Sequence, residues 1–337
     1  MPTINLNFTN EMLEKHFKNF FFHSLKYDKE KYINLIFTHH QIIPDHVAYL
    51  CPFCTKNWIF ITKSYSKCSS EFSEDHYPPS NSGGTKTIIT CKPCNNVAGH
   101  KYDFALEQYL DVLSYNKRIP NSTMPLRHKF DGLPNFMYGK LIVNESEVFS
   151  MQLKRNENDK ILPLDNWMEA NKNNEEWKFE IQPKNPDLKK VHQAILHAAY
   201  LYCFENFGYE FIFSKAGELF RKVFNDEMIY PAPISQCLDD LQSLKTMPIG
   251  LCYIKEPESL QSLIVNLELI NKTTGYKAIQ TVLIPNPNDD GIEKVEIQSA
   301  ILKNFSGNLK VIPLDNKLFA GIPNAYTKTW KDMCELS

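Results

Sequence analysis

Two cysteine pairs, Cys51-Pro-Phe-Cys54 and Cys91-Lys-Pro-Cys94, constrain this chain more than any other feature. Each C-x-x-C brings two thiols to one ion, and two such pairs supply the four thiolates of a closed tetrahedral zinc site. An ion held in that way ties distant stretches of chain into one small module and adds its binding energy to folding. Between the pairs lie Phe72-Ser-Glu-Asp-His76-Tyr-Pro-Pro-Ser and Gly83-Gly84, and the second pair runs straight into Asn95-Asn96. A redox role suits a single C-x-x-C, but two pairs flanking an Asp-His dipeptide point to zinc. A zinc closed by four thiolates has no open position, so any chemistry must come from the oxygen and nitrogen groups beside it. Asp75 and Asn95 are hard oxygen ligands suited to Mg²⁺ or Mn²⁺, and His76 can deprotonate a water. A divalent ion with a base beside it is the minimum equipment for hydrolysing a phosphodiester.

This combination resembles the HNH (ββα-metal) endonucleases, specifically their zinc-stapled type. The resemblance rests on Cys51, Cys54, Asp75, His76, Pro78, Gly83, Gly84, Cys91, Cys94 and Asn95, within residues 45–110. Where many members carry an Asn shortly before the second pair, this chain has Thr85-Lys86-Thr87. The resemblance implies a strand–turn–strand–helix finger, a structural zinc, a catalytic Mg²⁺ or Mn²⁺ on Asp75 and Asn95, and His76 as general base. The implied substrate is DNA, with RNA left open, and a phage-defence or restriction setting is compatible. Asn96, His100 and Asp103 are supporting positions. His100 and Asp103 lie three residues apart on one helix face, so either completes the ion's shell or orients a ligand; a plain surface pair is the equal alternative. Lys86 and Lys101 are candidate phosphate contacts, against the default of solvated lysines. The alternative function is a zinc-stabilised nucleic-acid-binding or sensor protein that never cuts.

Other residues are set aside for stated reasons. Asp45-His46 has the right dipeptide but lies outside the cysteine pairs. Cys68 reads as an isolated buried thiol. The five cysteines outside the pairs are scattered and odd in number, unlike a secreted disulfide framework. The net charge of −2 argues against a dedicated nucleic-acid clamp, although residues 1–104 carry eleven lysines against nine acids. No apolar run reaches the length of a membrane span, and the amino terminus lacks a secretion pattern, so a cytoplasmic protein is expected. A homodimer or a regulatory partner is compatible with the sequence.

The expected fold class is α+β. Residues 1–114 read as a helical lead-in, with helices over 9–38, followed by the zinc-stapled module (core 45–110). Residues 115–135, with Pro120, Pro125, Gly132 and Pro134, read as a linker. Residues 136–337 read as a mixed α+β accessory domain for substrate selection or regulation. Its strands are expected at 136–143, 147–154, 176–182, 249–254, 262–269, 277–284 and 308–313, with a polar, Asn-rich loop over 155–175. Asn185-Pro186-Asp187 opens a helix ending at Asn206-Phe-Gly208, and a second helix covers 215–229. The first of these, from Ala194 to Tyr209, loosely resembles a segment downstream of the finger in some stand-alone HNH proteins. Within it His192 and His197 are expected to be core or surface groups, and Lys184, Lys189 and Lys190 a solvated face.

Overall fold

The computed structural model describes residues 47–61, 66–133, 136–145, 149–153, 161–174, 178–231, 248–285, 291–305 and 307–314, with the single residues 176, 326 and 329. The helices expected over 9–38 and the Asp45-His46 dipeptide lie outside these residues. Helices and antiparallel sheets alternate, so the class is α+β, as expected.

Strands β1 (Val47–Leu50), β2 (Trp58–Ile61) and β3 (Ser66–Cys68) form an antiparallel sheet in chain order, and the first cysteine pair sits in the turn between β1 and β2. Strands β4 (Phe72–Tyr77) and β5 (Lys86–Cys91) form a separate hairpin with Phe72 opposite Cys91 and Tyr77 opposite Lys86. Its turn requires both glycines. Gly83 has φ +91°, and a Cβ on Gly84 would lie 1.6 Å from the Pro78 carbonyl oxygen. Helix α1 (Lys92–Ala98) leaves β5 directly, with a proline in the first turn where no N–H is needed. It passes through a π-helical turn at Gly99–Asp103 into α2 (Phe104–Asn116). The strand, turn, strand and helix expected of residues 71–114 are all present.

The stretch read as a linker is instead structured. It contains β6 (Thr123–Phe130), a central strand of a sheet ordered β8-β7-β6-β9 with β7 (Met137–Val143), β8 (Phe149–Leu153) and β9 (Phe179–Pro183). Pro125 suggested a break because it cannot donate to a ladder. Here it lies just past the Leu126–Pro183 pairing, and its carbonyl accepts from Lys184 N at 2.8 Å. Alternation along β6 buries Met124, Leu126, His128 and Phe130 on one face. The expected polar loop also contains a helix, α3 (Ile161–Ala170), whose Trp167 ring lies 4.7 Å from that of Phe130. Met124, Leu126, Phe130, Leu133 and Val143 are buried outside the main core, so this sheet has a small core of its own.

The main core spans the chain instead of ending at residue 114. One cluster joins Tyr49, Ile59, Ile88, Leu106 and Leu110 to Ile195, Phe204, Phe211, Leu263, Val282 and Tyr326. Its axis is α4 (Leu188–Phe207), capped by Asp187 through Lys189 N and Lys190 N as its sequence predicts. From Gln193 to Phe204 every residue of this helix is buried, whichever side it faces. It packs against β4, the π-helical turn and α2 on one flank, and on β11 (Ser262–Ile270) and β12 (Lys277–Ile284) on another. Those strands belong to an antiparallel sheet ordered β12-β11-β10-β13, with β10 (Gly250–Glu256) and β13 (Lys310–Pro313). Short α5 (Tyr209–Ile212), α6 (Lys215–Phe224) and α7 (Gly291–Lys303) complete the layer. The division into an amino-terminal module and a separate 136–337 domain therefore does not follow the core. No described helix is long and apolar enough to cross a membrane.

Candidate metal centre

The four expected zinc ligands converge. The sulfurs of Cys51, Cys54, Cys91 and Cys94 all lie within 4.8 Å of one another. Sulfurs about 2.3 Å from a tetrahedral ion stand about 3.8 Å apart, and Cys54 and Cys91 Sγ are 3.8 Å apart. The group can hold a metal ion such as zinc. Backbone and side-chain donors already point at the sulfurs, as thiolates require. Asn57 N donates to Cys54 Sγ (3.4 Å), Asn57 Nδ2 to Cys91 Sγ (3.2 Å), and Cys91 N to Cys51 Sγ (3.4 Å). Hydrogen bonding from Cys51, helped by Asn57, brings the Cys91 thiol down to about 6, whereas burial pushes Cys51 up. Four like groups in one pocket share protons unequally, and a dication relieves their mutual repulsion. Cys68 is buried in β3 and stands apart from this set.

The carboxy-terminal half holds the first knuckle in place. Tyr209 Oη accepts from Leu50 N and donates to Leu50 O, each at 2.8 Å, and Tyr200 Oη donates to Pro52 O at 2.6 Å. Phe53, between the first two cysteines, stacks on His197 of α4 with centroids 4.4 Å apart and planes at 4°.

Strand alternation decides where the Asp-His pair points. Ser73, Asp75 and Tyr77 leave one face of β4, and Glu74 and His76 the other. Asp75 is 4 % exposed and turned toward α4. Thr90 Oγ1 donates to its Oδ2 at 3.3 Å, and His197 Nε2 stands 3.4 Å from the same oxygen. Asn95, in α1, donates its amide nitrogen to Ser73 Oγ (2.8 Å) and Glu74 O (2.9 Å). Those two bonds fix the nitrogen end of the amide, and one of them goes to Ser73, which leaves β4 on the same face as Asp75. Asn95 thus stands at the outer edge of β4, which pairs only with β5 among the described strands. His76 is half-buried opposite Thr87, on the far face from Asp75.

The supporting positions separate. Asp103 faces the same interior: burial raises its pKa, His197 opposes that and Asp75 adds to it. One of its oxygens is buried without a hydrogen bond. Asn96 and His100 are exposed and are not brought to this group. Neither candidate phosphate lysine is a free cation. Lys86 Nζ is 2.8 Å from Glu205 and 3.1 Å from Tyr202 Oη, while Lys101 Nζ is 2.5 Å from Asp226 and 3.0 Å from Phe224 O. Lys189, exposed as expected of a solvated face, joins Lys101 on Asp226, which these ammoniums hold well below the usual carboxylate range.

His197, expected to be a core or surface group, lies in the core. It is 1 % exposed, and neither ring nitrogen has a hydrogen bond. A histidine inside a run as apolar as Ile195 to Leu201 carries a signal in principle, because a fully buried imidazole needs a polar partner. The identity of that partner, 122 positions earlier in β4, could not be read locally. Comparison of the chain with family models, curated proteins and solved structures finds no match.

Proposed function

We propose that this chain is a metal-dependent endonuclease of the HNH kind, with a structural zinc on Cys51, Cys54, Cys91 and Cys94. The observation that carries the reading is Asn95: its nitrogen is pinned by Ser73 and Glu74, and Ser73 leaves β4 on the face from which Asp75 projects. One carboxylate, one amide oxygen and remaining positions for water and phosphate suit Mg²⁺ or Mn²⁺. Such an ion neutralises charge gathering on a phosphate under attack. Asp75 and His76 are consecutive residues of β4 that leave it on opposite faces, so on this reading the phosphodiester lies along the outer edge of β4 between them. In that position His76 takes the proton of the attacking water, and Asp75 and Asn95 hold the cation. DNA is the proposed substrate.

The test is substitution. His76→Ala should lower metal-dependent cleavage by about 10²–10⁴ with zinc and fold retained. Asp75→Ala and Asn95→Ala should also be crippled, with partial recovery at higher Mn²⁺. Near-native cleavage by the His76 variant would overturn the assignment. A second reading has its own support: Asp75 is almost fully buried and both candidate lysines are committed to ion pairs. On that reading the zinc-clamped hairpin binds nucleic acid or senses a signal without cutting, and a chelator that spares the zinc leaves its action unchanged.

A further inference from the structure

The ion proposed above has two ligands on the finger, Asp75 and Asn95. We infer that a third comes from the opposite half of the chain: His197 of α4. The inference rests on the proposed divalent site and names its missing ligand and the class of ion it prefers.

The two groups face each other without forming a hydrogen bond. His197 Nε2 and Asp75 Oδ2 are 3.4 Å apart, and no hydrogen bond joins them. Good N–H···O bonds are about 2.7–3.2 Å. A nitrogen and an oxygen each about 2.1 Å from one octahedral ion stand about 3.0 Å apart, so a closing movement of about 0.4 Å would seat both on the same ion. Both side chains are almost wholly buried, and each is otherwise costly to leave poorly partnered. The ring cannot swing away, because it lies flat on Phe53 at 4.4 Å and tilted against Tyr102 at 5.6 Å. Phe53 belongs to the first cysteine knuckle, so the zinc cluster itself orients the imidazole.

The other candidates for this role fare worse. His100 is exposed. Asp103 lies nearby, but among the described residues the four cysteines are the only three or more His, Cys, Asp or Glu ligands within 4.8 Å of one another. It therefore does not join Asp75 and His197 in one tight shell, and Asn95 stays the oxygen ligand of the proposed site. An imidazole in the set moves preference away from Mg²⁺, which favours all-oxygen shells, toward transition-metal ions such as Mn²⁺.

The probe is Mn²⁺ added to the zinc-loaded full chain, read by electron paramagnetic resonance without any cleavage assay. One Mn²⁺ should bind at least ten-fold more tightly than Mg²⁺ competes for it. Electron spin-echo modulation from an imidazole nitrogen should be present in the native chain, survive His76→Ala and disappear in His197→Gln. Absence of bound Mn²⁺, or of nitrogen modulation in the native chain, overturns the inference, as does modulation that persists in a folded His197→Gln variant. If that variant does not fold, the native and His76→Ala spectra decide by the same criterion. Failure here is distinguishable from failure of the nuclease reading. Cleavage in Mn²⁺ with no histidine nitrogen on the ion sinks only the ligand, whereas a nitrogen-coordinated Mn²⁺ in a protein that never cuts sinks only the nuclease.

Discussion

Asn57 shows at the residue scale how a cluster of four cysteines that can hold zinc is tuned by groups outside the ligand set. It gives two N–H donors to two different sulfurs, one from its backbone and one from its side chain. Asn57→Ala removes the bond to Cys91 Sγ and should weaken zinc binding by about 10–100-fold. Competition against a graded chelator measures this, and unchanged affinity would show the bond to be incidental. The four cysteines were legible because ligand spacing is a local property of sequence. What the lysines and His197 do was not legible. Lys86 meets Glu205, Lys101 meets Asp226 and His197 meets Asp75 across more than a hundred positions, and no local pattern encodes such partners.

At the scale of elements, the hairpin and the helix α4 were both readable, for different reasons. Gly83-Gly84 between two runs of strand formers announces a turn, and the structure adds that the second glycine has backbone where a Cβ would go. Gly84→Ala should therefore destabilise the protein by about 1–3 kcal/mol, seen as a lower thermal midpoint with zinc content retained. An unchanged midpoint would mean that the turn relaxes. The caps of α4 were visible in Asp187 and Gly208, and the burial of its middle, Gln193 to Phe204, follows from its composition. Strand β6 and helix α3 were missed. Pro125 and the Asn-rich run both imitate loop chemistry, and only the pairing of β6 with strands on each side rescues the first.

On the scale of the whole molecule, the decisive fact is that the zinc knuckle and the carboxy-terminal half share one core. A fragment ending near residue 116 loses α4, and with it the cover over Ile88, Leu106 and Asp75. Such a fragment should show no cooperative thermal transition even with zinc, whereas the intact chain should. A soluble fragment that melts sharply would restore the view of a separable finger. For the same reason Cys51→Ser should lower the midpoint of the whole main core in a single step, because zinc binding is coupled to folding of everything packed on the knuckle. Separate transitions for the two halves would contradict that coupling. The core also places α4 directly behind the proposed catalytic edge, so activity and the carboxy-terminal half are expected to stand or fall together. The most direct test of the account incubates the purified full chain with supercoiled plasmid, and in parallel with RNA, in Mg²⁺, in Mn²⁺ and in chelator. The account predicts nicked or linear DNA with divalent ion, more with Mn²⁺ than with Mg²⁺, and intact plasmid with chelator. Plasmid left supercoiled in every lane by a zinc-loaded, folded protein, or cut equally well in chelator, would contradict it.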